Sequence, residues 1–137
     1  MKVFLVKAKE TDRQFLIDCE MDTLEDTDEN RSFVEQDIDE CLKDTRVILS
    51  GEDRIGMLTA YPVDDYWYIG EIYLLPDFRG KGIGRAIMQH EIDRHDKLLL
   101  RVAETNTHAL DLYKSLGFEF TDEYEPIEDL IYMTKVN

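Results

Sequence analysis

Residues 66–93 leave this chain few choices of fold. Tyr66 to Leu75 is dense in aromatic and β-branched residues and stops at Pro76, the pattern of a strand and its end. Arg79-Gly80-Lys81-Gly82-Ile83-Gly84-Arg85 follows and opens a helix that runs to about Asp93. Glycines remove side chains, so successive backbone amides can approach an anion closely. A helix start adds unpaired N–H groups and a partial positive charge. Glycine-rich turns also serve ordinary tight turns. Two features set this one apart. It joins a strand to a helix, where amides converge on phosphate. Arg79, Lys81 and Arg85 also form a basic cluster in a chain with 16 Lys and Arg against 31 Asp and Glu, a formal net charge of −15. The turn lacks the Lys-Ser/Thr ending of a nucleotide P-loop, and no second glycine fingerprint supports a dinucleotide fold.

The surrounding sequence supplies the other layers. Val3 to Val6 reads as a first strand. Thr11-Asp12-Arg13-Gln14 has the form of a capping box, the threonine oxygen covering free amides and Gln14 reaching back. A helix with Phe15, Leu16 and Cys19 on one side follows. Asp22 to Asn30 reads as an acidic loop. A second helix spans about Ser32 to Leu42, with Val34, Ile38, Cys41 and Leu42 at helical spacing. Val47 to Leu49 and Ile55 to Tyr61 flank Gly51-Glu52-Asp53 as a hairpin. Leu98 to Ala103 is an apolar run suited to a buried parallel strand. Ala109, Leu112, Tyr113 and Leu116 share a helix face, with Gly117 as the C-terminal stop. Phe118 to Tyr124 and Leu130 to Val136 close the chain as two antiparallel strands. The order βααβββαβαββ predicts an α/β domain with a mixed, mostly antiparallel central sheet flanked by helices.

At 137 residues and 43% apolar composition, the chain suits a single domain over residues 1–137 with a real core. Cys19 and Cys41, both in predicted helices, read as buried free thiols of a reducing compartment. The apolar run after Met1 is too short for a signal peptide, and nothing approaches the roughly 20 apolar residues of a membrane span. A cytoplasmic location is expected. The acidic field repels nucleic acid and anionic membrane, and favours cationic molecules or basic peptides.

Two stretches then resemble a known family, the GNAT superfamily of N-acetyltransferases. Glu71-Ile72-Tyr73-Leu74-Leu75-Pro76-x-x-Arg79-Gly80-Lys81-Gly82-Ile83-Gly84 is similar to its central motif. Asn106-x-x-Ala109-x-x-Leu112-Tyr113-x-x-Leu116-Gly117-Phe118 is similar to its second signature, and the element order matches throughout. The resemblance implies transfer of an acetyl group from acetyl-coenzyme A to a primary amine, with no metal. The amides from about Lys81 to Arg85 would hold the coenzyme A pyrophosphate. The backbone of Ile72, Tyr73 and Leu74 would pair with the pantetheine arm where the sheet splays at a bulge. Asn106 would hydrogen-bond the pantetheine or shape its tunnel, and Tyr113 would protonate the departing thiolate.

That last role is sound chemistry on its own terms. A phenol with a reference pKa near 10 is protonated at neutral pH and can serve as an acid. Tyr113 also lies on its helix's apolar face, where core packing alone would suit it. Glu71, on the strand beside the expected thioester site, is the first candidate for the base. His90 and His95, placed along the helix after the turn, and His108 at the next helix start suit that role less. They share no metal-ligand spacing with the cysteines. In the family, the loop between the first two helices and the one joining the last two strands border the acceptor. In this chain they carry Asp22, Glu25, Asp26, Asp28 and Glu29, and Glu123, Glu125, Glu128 and Asp129. These charges suit a cationic acceptor, or are simply solvated. Tyr61, Tyr66, Trp67 and Tyr68 would supply aromatic walls or strand packing. The rival reading is a catalytically silent acyl-coenzyme A-binding sensor. A monomer or homodimer is expected.

Overall fold

The computed structural model describes residues 2–137, so Met1 lies outside the described residues. Its elements are β1 (Val3–Lys7), α1 (Arg13–Met21), α2 (Asp28–Cys41), β2 (Thr45–Ser50), β3 (Asp53–Val63), β4 (Tyr66–Leu74), α3 (Ile83–Arg94), β5 (Lys97–Ala103), α4 (Thr107–Ser115), β6 (Glu119–Thr121) and β7 (Leu130–Val136). This is the expected βααβββαβαββ order. The seven strands form one sheet in the order β1-β2-β3-β4-β5-β7-β6. β1–β2, β2–β3, β5–β7 and β6–β7 pair antiparallel, and β4–β5 pairs parallel. β5 therefore has one parallel and one antiparallel neighbour. Its Leu98, Leu99 and Leu100 are buried in succession, as a strand covered on both faces requires. Among the described residues no helix is long and apolar enough to cross a membrane.

The chain sorts into two compact units, with β3 and β4 running through both. The first comprises residues up to Ala60 and Glu71–Ile83. Its core gathers Ala8, Leu16, Ile17, Cys19, Val34, Ile38, Val47, Met57 and Tyr73, so the apolar stripes of α1 and α2 meet strand residues of alternating period. The second comprises Tyr61–Gly70 and Gly84–Asn137. It buries Ile69, Ile87, Met88, Ile92, Leu98 to Leu100, Val102, Phe118 and Met133.

Five local expectations need correction. Thr11 does not cap the first helix. The chain enters through a 3-10 turn at Glu10–Asp12, whose Asp12 carboxylate accepts from the Lys9 amide (2.9 Å), while Gln14 donates to Asp18 instead. The acidic loop ends early because Thr27 accepts from the Asn30 amide (3.0 Å) and starts α2. Asp28 and Glu29 thus lie in a first helical turn, where the helix dipole favours carboxylates. The strand expected from Phe118 to Tyr124 shortens to Glu119–Thr121, because the Thr121 hydroxyl accepts from the Glu123 amide and turns the chain. Cys41 ends α2 only half-buried, whereas Cys19 is buried; both are free thiols. His95 lies just past the end of α3.

Gly56 carries a constraint that local sequence pattern does not reveal. A Cβ there would collide with the backbone carbonyl oxygen of Tyr73, so β4 can approach β3 this closely only across a glycine. We expect Gly56→Ala to destabilise the protein by about 1–3 kcal/mol or more, the range for overpacking a buried site. Gly51→Ala, with open space around it and a φ of 62°, should cost about 1 kcal/mol. Urea unfolding of the two variants measures the difference; equal midpoints would contradict it.

Candidate active site

The glycine turn is built as its residue types demand. Gly80 and Gly82 have φ of 72° and 81°, a backbone region that side chains disfavour. A Cβ at Gly80, Gly82 or Gly84 would meet nothing within 4 Å. The space beside the turn is therefore open. Ile83 begins α3, so the first amides of that helix have no intrahelical acceptor. Amides without internal partners beside open space fit a phosphate-bearing ligand of the coenzyme A kind.

Its three cations have local engagements. The Arg79 guanidinium donates to the Leu74 carbonyl (2.9 Å), lies 3.6 Å from the Asp22 carboxylate and sits over the Tyr73 ring. Arg79 thus braces the end of β4 against the turn. Lys81 lies over the Phe78 ring, and Arg85 donates to the Ser115 hydroxyl (2.9 Å). All three are exposed, so none is shut off from an anion.

On β4, the registered pairs with β5 run from Trp67↔Leu98 to Ile69↔Leu100. Ile72 to Leu74 lie beyond them. This end of the strand is held on the β3 side, where the Leu75 amide donates to the Ile55 carbonyl (2.8 Å). The Tyr73 side chain is buried, and its hydroxyl donates to Asp22 (2.6 Å). Burial first, and then Asp22, pushes that phenol up to about 12. In the β2–β3 ladder the register shifts between Ile48 and Leu49, where Ile55 of β3 is the extra residue.

α4 carries the second signature. The Asn106 carbonyl oxygen accepts from the Ala109 amide (3.2 Å) and caps the helix, a role the sequence reading had not assigned to it. At the other end, Phe118 N–H donates to the Tyr113 carbonyl and Gly117 N–H to the Lys114 carbonyl, both at 3.0 Å, with Gly117 at φ 97°. This is a Schellman stop. Tyr113 is half-buried, its ring tilted against Phe118 at 6.0 Å between centroids. The other aromatic candidates are engaged in packing. Tyr61 meets Tyr68 edge-on, Trp67 stacks on His95 and donates to the buried Glu91, and the Tyr66 hydroxyl bonds Glu123. His90 also bonds Glu91, through Nδ1 at 3.0 Å.

The carboxylates divide sharply. Asp22 holds Tyr73, Asp26 pairs with Arg31 (2.9 Å), and Glu123 takes Tyr66. Much of the loop acidity is thus partnered within the fold. Glu71 is different: burial, and then Asp37, raises its carboxyl. Glu20 is raised further, to about 8, by burial, by a hydrogen bond to Asp37 and by the charges of Asp37 and Glu71. Glu20 and Asp37 escaped the sequence reading because they lie on helix faces, one residue type among many. No local motif marks them.

The end of β4, the 3-10 turn at Pro76–Phe78 and an open glycine turn at the start of α3 make an arrangement that suits an anionic ligand. The chain belongs to the acetyltransferase (GNAT) family, whose family model matches residues 9–118. It is similar to the peptidyl-lysine N-acetyltransferase YjaB of Salmonella typhimurium, at 35% identity over 63 residues. That match covers 46% of this chain and 43% of the relative, so this chain spans less than half the length of the curated relative it matches. Its fold is that of PH1933 from Pyrococcus horikoshii OT3 (TM-score 0.81, 24% identity, 99% of each chain). It is also that of the PaiA N-acetyltransferase from Thermoplasma acidophilum in complex with coenzyme A (TM-score 0.77, 14% identity, 100% of each chain).

The raised Glu20 carboxyl makes stability depend on pH. A carboxyl whose folded pKa exceeds its unfolded one contributes stability that is complete below the unfolded value, near 4.5, and is lost as pH rises through about 8. Glu71 acts in the same direction. Glu20→Gln keeps a neutral donor toward Asp37, so its melting temperature should fall less than that of wild type between about pH 5 and about pH 9. Parallel melting curves across that range would show that Glu20 titrates normally.

Proposed function

We propose that the protein transfers the acetyl group of acetyl-coenzyme A to a primary amine by direct attack in a ternary complex. The acceptor is a cationic small molecule or a lysine-bearing basic peptide. The observation that carries this reading is the open glycine turn at the start of α3, joined to the end of β4 through the 3-10 turn at Pro76–Phe78. Acetyl-coenzyme A supplies a thioester carbonyl open to nucleophilic attack.

The roles of this chain's residues follow from their chemistry. Amides from Lys81 to Arg85, with the Lys81 and Arg85 cations, hold the pyrophosphate. Arg79, Gly80 and Gly82 shape the turn, and Ile83 anchors it through burial. The backbone of Ile72, Tyr73 and Leu74 pairs with the pantetheine arm as an added strand. Asn106 spends its oxygen on the α4 cap and offers its side-chain N–H groups to the same arm. The acceptor amine, with a reference pKa near 10.4, is only about one part in a thousand neutral at pH 7.4, a handicap of roughly 4 kcal/mol. Glu71 takes its proton, directly or through water, and its raised pKa makes it a better base than an ordinary carboxylate. The N–C bond forms, the C–S bond breaks, Tyr113 gives its phenolic proton to the sulfur, and the second proton shed by the nitrogen passes to solvent, from which the phenolate is reprotonated. Support for lysine-type amines comes from the peptidyl-lysine acceptor named for YjaB.

The primary test is thiol release from acetyl-coenzyme A across a panel of amines, amino acids and peptides. Release with none of them, while coenzyme A still raises the melting temperature, would favour the silent sensor. Gly82→Asp puts a negative charge into the open space beside the turn. It should abolish the thermal shift produced by coenzyme A; an unchanged shift would remove the turn from the cofactor site. Tyr113→Phe keeps the ring against Phe118 and loses only the hydroxyl. It should lower kcat by roughly 10²-fold or more with little change in coenzyme A affinity. Undiminished turnover, measured where chemistry limits the rate, would exclude Tyr113 as the acid.

A further inference from the structure

β1 closes one end of the sheet and belongs wholly to the first unit. The Ala8 amide donates to the Thr45 carbonyl (3.0 Å), in register with the β1–β2 ladder. Antiparallel ladders alternate bonded and unbonded pairs, so Phe4 and Val6 bond across to Leu49 and Val47. The N–H and C=O groups of Val3, Leu5 and Lys7 therefore point away from β2, toward a side where no described strand lies. A second, separate observation is apolar. Opposite residues of a ladder share a face, which puts Phe4 and Val6 on the face where Val47 enters the first unit's core. Both stay uncovered there, Phe4 50% and Val6 39% exposed. The third observation is charge. From Lys2 to Lys9 the chain has three lysines and no carboxylate, although it carries 31 Asp and Glu in all. The three lysines are exposed, and neither β1 nor β2 contains a carboxylate.

We propose that the outer edge of β1 is a docking strand for an extended acidic segment of a partner protein. The docking does not depend on acetyl transfer. Open main-chain groups at a strand edge pair with another extended backbone and supply affinity, while side chains at alternate positions supply specificity. Residues of the incoming strand on the face of Phe4 and Val6 are apolar and cover them. Those on the other face are acidic and come beside Lys7, with Arg46 opposite it one strand further in. Lys2 and Lys9 flank the two ends. The partner segment thus alternates apolar and acidic residues over the five-residue length of β1. Nucleic acid and anionic lipid also answer to basic charge, but neither offers a peptide main chain to Val3, Leu5 and Lys7. A second copy of this chain fits poorly. Edge-to-edge pairing of two β1 strands brings their lysines together, which is how natural edges resist self-pairing.

The test is fluorescence anisotropy of dye-labelled, end-blocked peptides of about eight residues, titrated with the whole protein at low salt. A peptide alternating valine and glutamate should bind about tenfold or more tightly than one alternating valine and lysine. Added salt should weaken it. Hydrogen exchange followed by NMR supplies the main-chain readout. Bound peptide should slow exchange at the Leu5 and Lys7 amides about tenfold or more, and change it little at Phe4 and Val6, whose amides already bond β2. Lys2→Glu combined with Lys7→Glu should reverse the preference between the two peptides. Leu5→Pro removes an outward N–H that the β1–β2 ladder does not use, and should weaken the acidic peptide about tenfold. No preference for the acidic peptide in wild type, or binding without protection at Leu5 and Lys7, would overturn the docking strand; these wild-type measurements suffice if the variants fold poorly. Tighter binding of single-stranded DNA or phosphatidylserine vesicles than of the peptide, lost in the lysine variant, would overturn it in favour of that partner. Self-association in sedimentation that Leu5→Pro abolishes would overturn it in favour of a second copy.

Discussion

The close approach of β4 to β3 at Gly56 is the contact on which the candidate site depends. Without a side chain at that position, the Tyr73 carbonyl can sit where a Cβ would stand, and the end of β4 is drawn into place. Three further interactions lock it there. The Leu75 amide bonds Ile55, the Tyr73 hydroxyl bonds Asp22, and Arg79 reaches back to the Leu74 carbonyl. The strand therefore delivers the chain in a fixed direction into Gly80 and Gly82, whose positive φ values complete the turn into α3. A loose strand end would leave the same amides pointing in varying directions, and preorganisation is what gives such amides their worth.

Charge is distributed by the same economy. With a formal net charge of −15 the chain repels itself, and most carboxylates that the loops contribute are quieted by arginine, tyrosine or helix-end partners. Arg79 is the clearest case, since it binds Asp22 and a main-chain carbonyl and stacks on Tyr73 at once. Glu20 and Glu71 follow the opposite rule. Burial first, and then neighbouring carboxylates, raises both carboxyls, a standing cost that marks functional carboxylates more often than structural ones.

α4 shows how a short helix is made dependable. Nine residues are too few to be stable alone in water, so the ends must contribute. Asn106 closes the start and the Gly117 Schellman turn closes the finish, and both belong to the stretch that resembles the family signature. Part of that signature is thus explained by helix architecture. Tyr113, one turn before the stop, inherits a rigid position from it.

The sequence by itself determined the element order, the antiparallel hairpins, the turn between β4 and α3 and the end of α4. All of these rest on local physics: hydrophobic period, glycine torsion and helix capping act over a few residues and can be read from them. It also placed Glu71, Asn106 and Tyr113 on the right elements through a family resemblance that carries their roles as expectations. The start of α2 misled it, because threonine at Thr27 is a common residue and only its bond to Asn30 distinguishes a cap. Tertiary structure alone decided that Gly56 is a packing constraint, that Arg79 is a brace and that Glu20 meets Asp37. Glu20 and Asp37 lie on different helices, and Arg79 faces a carboxylate far back in the chain. Pairings of that kind leave no periodic trace, since their energy depends on burial and distance that exist only once the chain has folded.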